Sequence, residues 1–403
     1  MELKKIHISD IGKIVTGKTP RTSVAENYNG YIPFLTPSDD LSHKSAPKTT
    51  KTLTEQGLNE VRNCLLPSRS ICVSCIGSDL GKVVMIKEPT VTNQQFNSII
   101  PNKNFNADFV YYLMTLVGRE LNYLSKTSTA VPIINKSSFS NYEIEVPDLE
   151  TQNRIASILS SIDSKIELNR RINDNLEQQA QALFKSWFVD NSNPNWEETS
   201  LSEVASFVGG YSYTGEELTD CSNIAMATIK NFGRNGGFKA DGFKEINPSA
   251  KLKECHYANL FDILVAHTDL TQNADVIGNA ELLLTYGKYN SIIFSMDLVK
   301  VLPKETFPYR FLLAAMLKNE LFKGHSLGYV NGTTVLHLSK KALPDFEIRK
   351  PSDSESKMMD EVLASYYKRM AELLQENDRL ISLRDTLIPK LMSGELKIND
   401  LNC

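Results

Sequence analysis

Apolar residues recur with a seven-residue period in two long stretches of the chain. The first stretch runs from Thr151 to Trp187 without proline or glycine, and the second is expected from Ser354 to Ile388, where Pro389 would stop it. A narrow apolar stripe at heptad positions a and d predicts a long helix that pairs with another helix. The predicted seam consists of Ile155, Leu159, Ile162, Ile166, Asn173, Leu176 and Leu183 in the first helix, and Met359, Leu363, Tyr366, Leu373, Asn377, Leu380 and Leu387 in the second.

Each of these helices follows a stretch of sequence that resembles the other in character. Apolar and polar positions keep the same order in both stretches, although few identical residues are shared and the offset between them drifts. The matching pairs are 8–17 with 201–210, 32–36 with 224–228, 70–74 with 262–266, 109–113 with 309–313, and 142–147 with 346–351. A repeat of this length indicates two copies of a whole domain and not an array of small units.

The sequence therefore predicts an α+β protein in which two duplicated globular domains are separated by two long helices that pair as an antiparallel coiled coil. The expected bounds are 1–150 for the first domain, 151–190 for the first helix, 191–350 for the second domain, and 351–403 for the second helix and C-terminal tail. The alternative is a pair of ordinary amphipathic helices that pack separately onto the domains.

The length and polar seam residues of the helices add two expectations. Ile155 and Leu183 would lie about 42 Å apart at ~1.5 Å per residue, so the helices can act as a spacer between the domains. This length is close to the ~34–36 Å that separates DNA half-sites one turn apart. Asn173 and Asn377 occupy equivalent seam positions, where a polar residue lowers stability but can fix register.

Charge and cysteine content limit the classes of function. The formal net charge is −4 and no segment forms a basic tail, so charge alone does not indicate a nucleic-acid binder. Cys72-x-x-Cys75 is half of a zinc site without a second ligand pair, which favours buried or free thiols and no metal. The chain begins without a signal-peptide pattern and has no apolar run long enough for a bilayer, which predicts a cytoplasmic protein without membrane contact.

Motifs for catalysis are missing from the sequence. It contains no Asn-Pro-Pro-aromatic tetrapeptide of amino-methyltransferases and no glycine-rich loop ending in Gly-Lys-Ser/Thr. Asp148 and Glu150 are spaced as in some nucleases, but the expected lysine is absent, and Asp148 or Thr151 is better suited to cap a helix. The run 267–269 (His-Thr-Asp) has no nucleophile elbow beside it. We therefore expect neither an enzyme nor a bound cofactor.

The order of domain, long helix, diverged domain and long helix resembles the specificity subunits of type I restriction-modification systems over the whole chain. Three local motifs of the first copy are similar to that family as well. They are Ile8-Ser9-Asp10-Ile11-Gly12 followed by Gly17-Lys18-Thr19-Pro20, then Asn93-Gln94-Gln95-Phe96 followed by Ile99-Ile100-Pro101, and finally Ser128-Thr129-Ala130-Val131-Pro132 followed by Ile144-Glu145-Val146-Pro147 and Gln152. The second copy departs from the pattern, with Gly209-Gly210-Tyr211 in place of Gly-x-Thr-Pro and no Asn-Gln-Gln.

The resemblance implies a non-catalytic subunit with two target-recognition domains that read a split double-stranded DNA target. It also implies that the helices bind adenine methyltransferase subunits, in two copies, and through them the motor-nuclease subunits. Catalysis and S-adenosylmethionine binding would then belong to those partners.

Candidate DNA contacts lie in polar loops that interrupt the strand pattern of both copies. Bases are read by side chains with directional donors and acceptors, and phosphates by Lys, Arg, Ser or Thr. The candidates are Thr36, Ser38, Lys44, Lys48, Lys51, Ser78, Lys126 and Thr127 in the first copy, and Lys230, Asn231, Arg234, Asn235, Thr268, Asn331 and Thr333 in the second.

Three other functions are consistent with parts of the sequence. The first is a coiled-coil interaction scaffold with two binding modules for something other than DNA. The second is a self-contained methyltransferase or nuclease, which the missing motifs disfavour. The third is a specificity subunit that directs methylation without restriction, which differs from a full restriction system only in its partners.

Overall fold

The computed structural model describes residues 2–45, 48–77, 79–126, 133–234, 236–271 and 273–396. The chain divides into two compact units. The first unit comprises Met1–Lys165 and Leu380–Cys403, and the second comprises Ile166–Arg379. The first unit is therefore built from two separate pieces of the chain, and the second from one.

The first unit combines strands and helices. Its described residues form ten strands, which are β1 (Lys4–His7), β2 (Gly12–Thr16), β3 (Tyr28–Leu35), β4 (Lys51–Leu53), β5 (Leu65–Leu66), β6 (Ile71–Ser74), β7 (Val83–Met85), β8 (Thr90–Thr92), β9 (Phe96–Pro101) and β10 (Glu143–Val146). The helices are α1 (Ile8–Ile11), α2 (Glu55–Val61), α3 (Ala107–Lys126), α4 (Lys136–Ser140) and α5 (Leu149–Lys185), of which α5 continues into the second unit.

Two four-stranded sheets and a two-stranded ladder make up the framework of the first unit. One sheet has the order β2-β9-β6-β7 and is antiparallel throughout, and the other has the order β4-β3-β8-β5 with β3 and β8 parallel. The third pairing joins β1 to β10. All four residues of β6 are buried because helix α3 covers one face of this sheet with apolar residues that include Phe109, Tyr112 and Met114, and the other sheet packs on its opposite face.

The second unit contains the remaining strands and helices. Among its described residues the strands are β11 (Glu197–Ser200), β12 (Ala205–Gly209), β13 (Ile224–Ala227), β14 (Lys244–Glu245), β15 (Tyr257–Ala258), β16 (Ile263–Ala266), β17 (Thr268–Asp269), β18 (Ala280–Leu282), β19 (Ser291–Phe294), β20 (Leu298–Pro303), β21 (Val330–Asn331), β22 (Leu336–Leu338) and β23 (Glu347–Lys350). The helices are α6 (Leu201–Val204), α7 (Arg310–Leu317), α8 (Glu320–Leu327) and α9 (Asp353–Ser393), of which α9 ends in the first unit.

The predicted duplication is confirmed strand by strand. The sheets of the second unit have the orders β12-β20-β16-β18 and β14-β13-β19-β15, and β11 pairs with β23, so each pairing has a counterpart in the first unit. The one parallel pairing is repeated as well, between β13 and β19. The second unit adds a three-stranded sheet, β17-β22-β21, which has no counterpart among the described strands of the first unit.

The two long helices pair antiparallel within each unit, as predicted. In the second unit the side-chain amide of Asn169 donates to the Oδ1 atom of Asn377 over 2.9 Å, and that of Asn173 to the carbonyl of Met370 over 3.4 Å. Residue numbers thus rise along α5 while they fall along α9. Asn377 faces Asn169 and not Asn173, although Asn173 is its equivalent in the duplication.

Burial of the predicted seam follows the heptad. Ile155, Leu159, Ile162, Ile166, Asn173, Met359, Leu363, Leu373 and Asn377 are buried, and Leu176, Leu183, Tyr366, Leu380 and Leu387 are half-buried. The expectation that Pro389 ends the second helix is wrong, because α9 continues to Ser393. Ile388, Leu391 and Met392 are all buried in the core of the first unit, and their packing offsets the hydrogen bond that proline cannot donate.

Three smaller expectations concern the thiols, a helix cap and membrane spans. Cys72 and Cys75 are buried, and burial raises the pKa of Cys72 to about 12 and that of Cys75 to about 11, so both remain thiols at neutral pH. No metal-binding group of three His, Cys, Asp or Glu residues occurs in the described part of the chain.

Asp148 caps α5 by accepting the backbone N–H of Thr151 over 2.9 Å. None of the described helices has the length and apolar character of a membrane span.

Candidate DNA interface

A shallow cleft opens on the first unit beside strands β3 and β4. Aromatic rings supply part of its lining, and a lysine and several hydroxyl groups supply the rest. The lining residues are Thr19, Thr22, Tyr28, Asn29, Phe34, Lys51 and Thr52. A cleft of this composition offers donors for phosphate and base edges. Lys51 is the one lining residue that we predicted as a DNA contact.

The cleft brings together two motifs that are distant in sequence. The Thr19 hydroxyl donates to the Oε1 atom of Gln94 over 2.6 Å, and the backbone N–H of Lys18 donates to the Thr92 carbonyl over 2.9 Å. Gly17 permits this contact, because a Cβ atom there would lie 2.1 Å from the Asn93 carbonyl oxygen. The Gly17–Pro20 loop is therefore packed directly on the loop between β8 and β9.

An ion pair fixes the outer edge of the same loop. The Arg21 guanidinium contacts the Glu60 carboxylate at 2.8 Å, and the Arg21 backbone N–H donates to its other oxygen at 3.0 Å. The Asn27 amide donates to the same carboxylate over 3.1 Å. The side-chain hydrogen bond from Arg21 is the largest cause that lowers the pKa of Glu60, from 4.5 to about 2.

The low pKa of Glu60 predicts an acid-dependent loss of stability. Because the folded-state pKa is depressed, the stabilisation is present above pH 4.5 and is lost as the pH falls towards about 2. We expect the melting temperature of the protein to exceed that of Glu60→Gln at neutral pH, and the difference to vanish on acidification through this window. Arg21→Met removes the side-chain hydrogen bond that lowers the pKa of Glu60. If the stabilisation by Glu60 is lost over the same pH range in the Arg21→Met background, Arg21 is not the cause of the low pKa.

Several lysines of the first unit present free ammonium groups near this loop. Lys13, Lys18, Lys51 and Lys136 are exposed, and none has an ion-pair partner among the described residues. Burial raises the pKa of Cys64, and the charges of Lys18, Lys136 and Lys13 oppose that rise, which places all three around the same thiol. A local cluster of unpaired cations thus exists on a chain whose net charge is −4.

The second unit repeats the glycine contact with different neighbours. A Cβ atom at Gly210 would lie 2.0 Å from the carbonyl oxygen of Ser295, which is in the loop between β19 and β20. The backbone N–H of Tyr211 donates to the Phe294 carbonyl over 2.7 Å. Gly17 and Gly210, which match in the duplication, therefore close the same junction in both units.

In the long loop after β3 and in its counterpart after β13, a buried side chain accepts a backbone hydrogen bond from the first residue of the loop. Asp39 accepts the backbone N–H of Thr36 over 2.8 Å, and Asn231 accepts that of Thr228 over 2.8 Å. Asp39 and Asn231 are both buried. Asp39 also accepts the backbone N–H of Thr50 over 2.8 Å, so the two ends of the first loop meet at its carboxylate.

The predicted DNA contacts fall into three groups. The exposed ones are Ser38, Lys48, Lys51, Lys230, Arg234, Asn331 and Thr333. Ser78, Thr127 and Asn235 lie outside the described residues, as does the side chain of Lys126. The remaining ones are Thr36, Lys44, Asn231 and Thr268, which are buried or half-buried.

The buried candidates hold the loops in place and do not face solvent. Thr36 and Asn231 brace the loop bases, and the Thr268 hydroxyl donates to Asp297 over 3.0 Å. Lys44 forms an ion pair with Asp108 at 2.8 Å. Because their polar groups are satisfied internally, we do not carry these four residues forward as DNA contacts. Asp269 accepts backbone N–H groups of its own loop, which gives the 267–269 run a structural role.

Three exposed or half-exposed residues at the glycine junction beside the cleft were missed from the sequence. Lys18, Thr19 and Gln94 lie in two of the motifs that carry the family resemblance, and none of them is among the predicted DNA contacts. The paired glycines at 17 and 210 were a usable signal, since matching glycines in diverged copies indicate a retained close approach.

Comparison with known proteins agrees with these features. Residues 1–178 match the family described as "Type I restriction modification DNA specificity domain". The MjaIX specificity subunit of Methanocaldococcus jannaschii is 24% identical over 99% of this chain and 94% of its own length. Residues 1–178 therefore match a type I specificity domain, and the chain as a whole is similar to the specificity subunits of type I restriction enzymes.

Other specificity subunits match part of the chain or its fold. The HindI specificity subunit of Haemophilus influenzae is 35% identical over 41% of this chain and 38% of its own length. The crystal structure of a type I S subunit from M. genitalium covers 97% of this chain and 96% of its own, with a TM-score of 0.50 and 16% identity, and thus supports the fold. The relatives are named as specificity subunits, which agrees with the predicted recognition role.

Proposed function

We propose that the chain is a specificity subunit that reads a split double-stranded DNA target, one part with each unit. The observation that carries the proposal is the repetition of one architecture with different surface residues. Both units have the same strand order and the same glycine junction, but the exposed side chains beside it are Lys18 and Gln94 in the first copy and Ser212 and Met296 in the second. Equal frameworks with different exposed side chains are suited to reading two different sequences.

Residues of two kinds would make the contacts. Lys18 and Lys51 in the first unit, and Lys230 in the second, are exposed cations placed for phosphates. The side-chain amide of Gln94 is of the type that pairs with the N6 and N7 atoms of adenine. The Thr19 hydroxyl donates a hydrogen bond to its Oε1 atom and so fixes its orientation. Because the net charge is −4, we expect weak, salt-sensitive DNA binding by the subunit alone and tighter binding when a partner joins.

The partners follow from the names of the relatives, which are subunits of type I restriction enzymes. We propose that the paired helices bind adenine methyltransferase subunits, in two copies because the chain is duplicated, and that motor-nuclease subunits join through them. The recognition domains would span 1–150 and 191–350, with the helical segments at 151–190 and 351–403. Methyl transfer, DNA cleavage and their cofactors would belong to the partners. The cytoplasmic location stays a prediction.

Modified-base sequencing of host DNA tests the proposal directly. The strain should carry the matching methyltransferase subunit, with the gene for this chain either intact or deleted. We expect a split motif with modified adenines in both parts that is lost on deletion and restored by a plasmid copy. An unchanged pattern, together with no DNA binding by the purified subunit–methyltransferase complex, would support the non-DNA scaffold instead.

A further inference from the structure

A buried cluster of charges in the second unit has no role in the contacts described above. The Lys318 ammonium lies 2.5 Å from one oxygen of Glu281 and 3.1 Å from the Glu177 carboxylate of α5. The side chains of Lys318 and Glu281 are 6% and 4% exposed. Lys318 follows the last residue of α7, and its backbone N–H donates to Ala314, so the helix C-terminus also favours its charge.

A hydrogen bond connects the charge cluster to the backbone of an exposed turn. The second carboxylate oxygen of Glu281 accepts the N–H of Gly237 over 2.5 Å. Gly237 accepts the N–H of Gly233 over 2.8 Å, which closes the turn that carries Arg234. Gly236 and Gly237 have φ angles of 82° and 91°, a region that other residues rarely adopt, so this conformation of the turn depends on glycine at both positions.

Burying these charges in the core costs desolvation free energy. The cluster holds two carboxylates and one ammonium, and burial together with the charge of Glu177 raises the pKa of Glu281. Burial alone would lower the pKa of Lys318, but Glu177 and Glu281 raise it, so the ammonium stays charged. Apolar side chains of similar volume usually fill such a site with equal or greater stability, so the cluster is better explained by the position it imposes.

The first unit fixes the equivalent loop to the same helix with different atoms. Lys44 lies in the loop between β3 and β4, where the second unit has Gly237 between β13 and β14. Its ammonium contacts Asp108 at 2.8 Å, and it donates to the Ser160 hydroxyl of α5 over 2.9 Å. Each long loop is thus tied through a buried or half-buried lysine to the part of α5 that belongs to its own unit.

We propose that Lys318 with Glu281, and Lys44 in the first unit, are positioning residues that set the DNA sequence preference of the unit in which they lie. They fix the loop after β13 or β3 to the helix α5, and the exposed side chains of that loop, Arg234 in the second unit, then meet the DNA in one orientation. This inference rests on the proposed reading of a split target by the two units.

Variants at Glu281 separate positioning from folding. Glu281→Leu removes the acceptor for Gly237 but leaves Lys318 paired with Glu177, so no buried charge is left alone. Glu281→Gln keeps an acceptor for the Gly237 N–H and is the matched control. In the first unit, Lys44→Met leaves Asp108 paired with Arg69 at 2.6 Å.

The experiment uses the full methyltransferase complex and a library of targets in which one base pair at a time is changed. We expect Glu281→Leu to reduce discrimination about tenfold at positions in one part of the target only, and Lys44→Met to do so in the other part only. Glu281→Gln should retain the native preference. An unchanged preference in Glu281→Leu and Lys44→Met, or equal loss in both parts of the target, overturns the proposal. A native complex that prefers no target would instead contradict the proposed function itself.

Discussion

Alanine at Gly17 is expected to reduce adenine modification of the native target by more than about tenfold. The new Cβ atom would meet the carbonyl oxygens of Asn93 and Thr92 at 2.1 and 2.3 Å, so the Gly17–Pro20 loop must separate from the loop between β8 and β9. That separation breaks the Thr19–Gln94 hydrogen bond and moves Lys18. Displacement of one base contact and one phosphate contact together exceeds the ~1.4 kcal/mol that corresponds to a tenfold change.

The equivalent change in the second unit provides a parallel test. Gly210→Ala places a Cβ atom 2.0 Å from the Ser295 carbonyl and should also reduce modification. Gly209→Ala is the matched control, because a Cβ atom there has nothing within 4 Å. Modified-base sequencing of strains that carry each variant gives the readout, with the melting temperature of the purified complex as a check on folding. Native modification by Gly17→Ala would show that the junction does not position DNA contacts.

Asp163→Ala should lower the free energy of unfolding of the first unit by about 3 kcal/mol. Asp163 on α5 accepts the Arg384 guanidinium over 2.9 Å and the Tyr112 hydroxyl over 2.5 Å. Breaking a fully buried ion pair costs ~3–5 kcal/mol, but this pair is half-buried and Arg384 retains a second carboxylate, Asp385, at 2.9 Å. The effect therefore falls at the lower end of that range, with the unpaired Tyr112 hydroxyl adding to it.

Hydrogen exchange can assign this loss to the correct unit. Peptides from α3 report the first unit, whereas Trp187 and Trp196, the two tryptophans of the sequence, both lie in the second unit and report its unfolding by fluorescence. Glu167→Ala is the control on the same helix, since its exposed ion pair with Arg170 contributes less than ~1 kcal/mol. Equal protection of α3 in Asp163→Ala and Glu167→Ala would refute the prediction.

The architecture could be predicted because it depends on periodicity, which a single sequence displays. The heptads of α5 and α9 and the repeated order of apolar segments were enough to predict two copies of an α+β domain and an antiparallel helix pair. The end of the second helix could not be predicted in this way. Pro389 breaks an isolated helix, but Ile388 and Leu391 pack into a core whose members outside α9 lie more than two hundred residues away, apart from the few residues that follow it.

The site was predicted less completely, because a polar residue in a loop can face either the solvent or the loop itself. Asn231 and Ser38 are both small polar residues that follow a strand. Asn231 is nevertheless buried and accepts the N–H of Thr228, whereas Ser38 is exposed. Lys44 and Lys51 differ in the same manner, since only Lys44 meets a carboxylate, Asp108, from a helix distant in sequence. Such long-range pairing is set by tertiary packing, which local composition does not encode.

The division of the chain also determines the order in which the units can be completed during synthesis. The second unit has all of its residues once position 379 has been made, whereas the core of the first still lacks Ile388, Leu391 and Met392. At ~5–20 residues per second the delay is a few seconds at most. Over that interval the end of the first core that α9 covers stays exposed on the nascent chain. The unit that is translated first is therefore the one that is completed last.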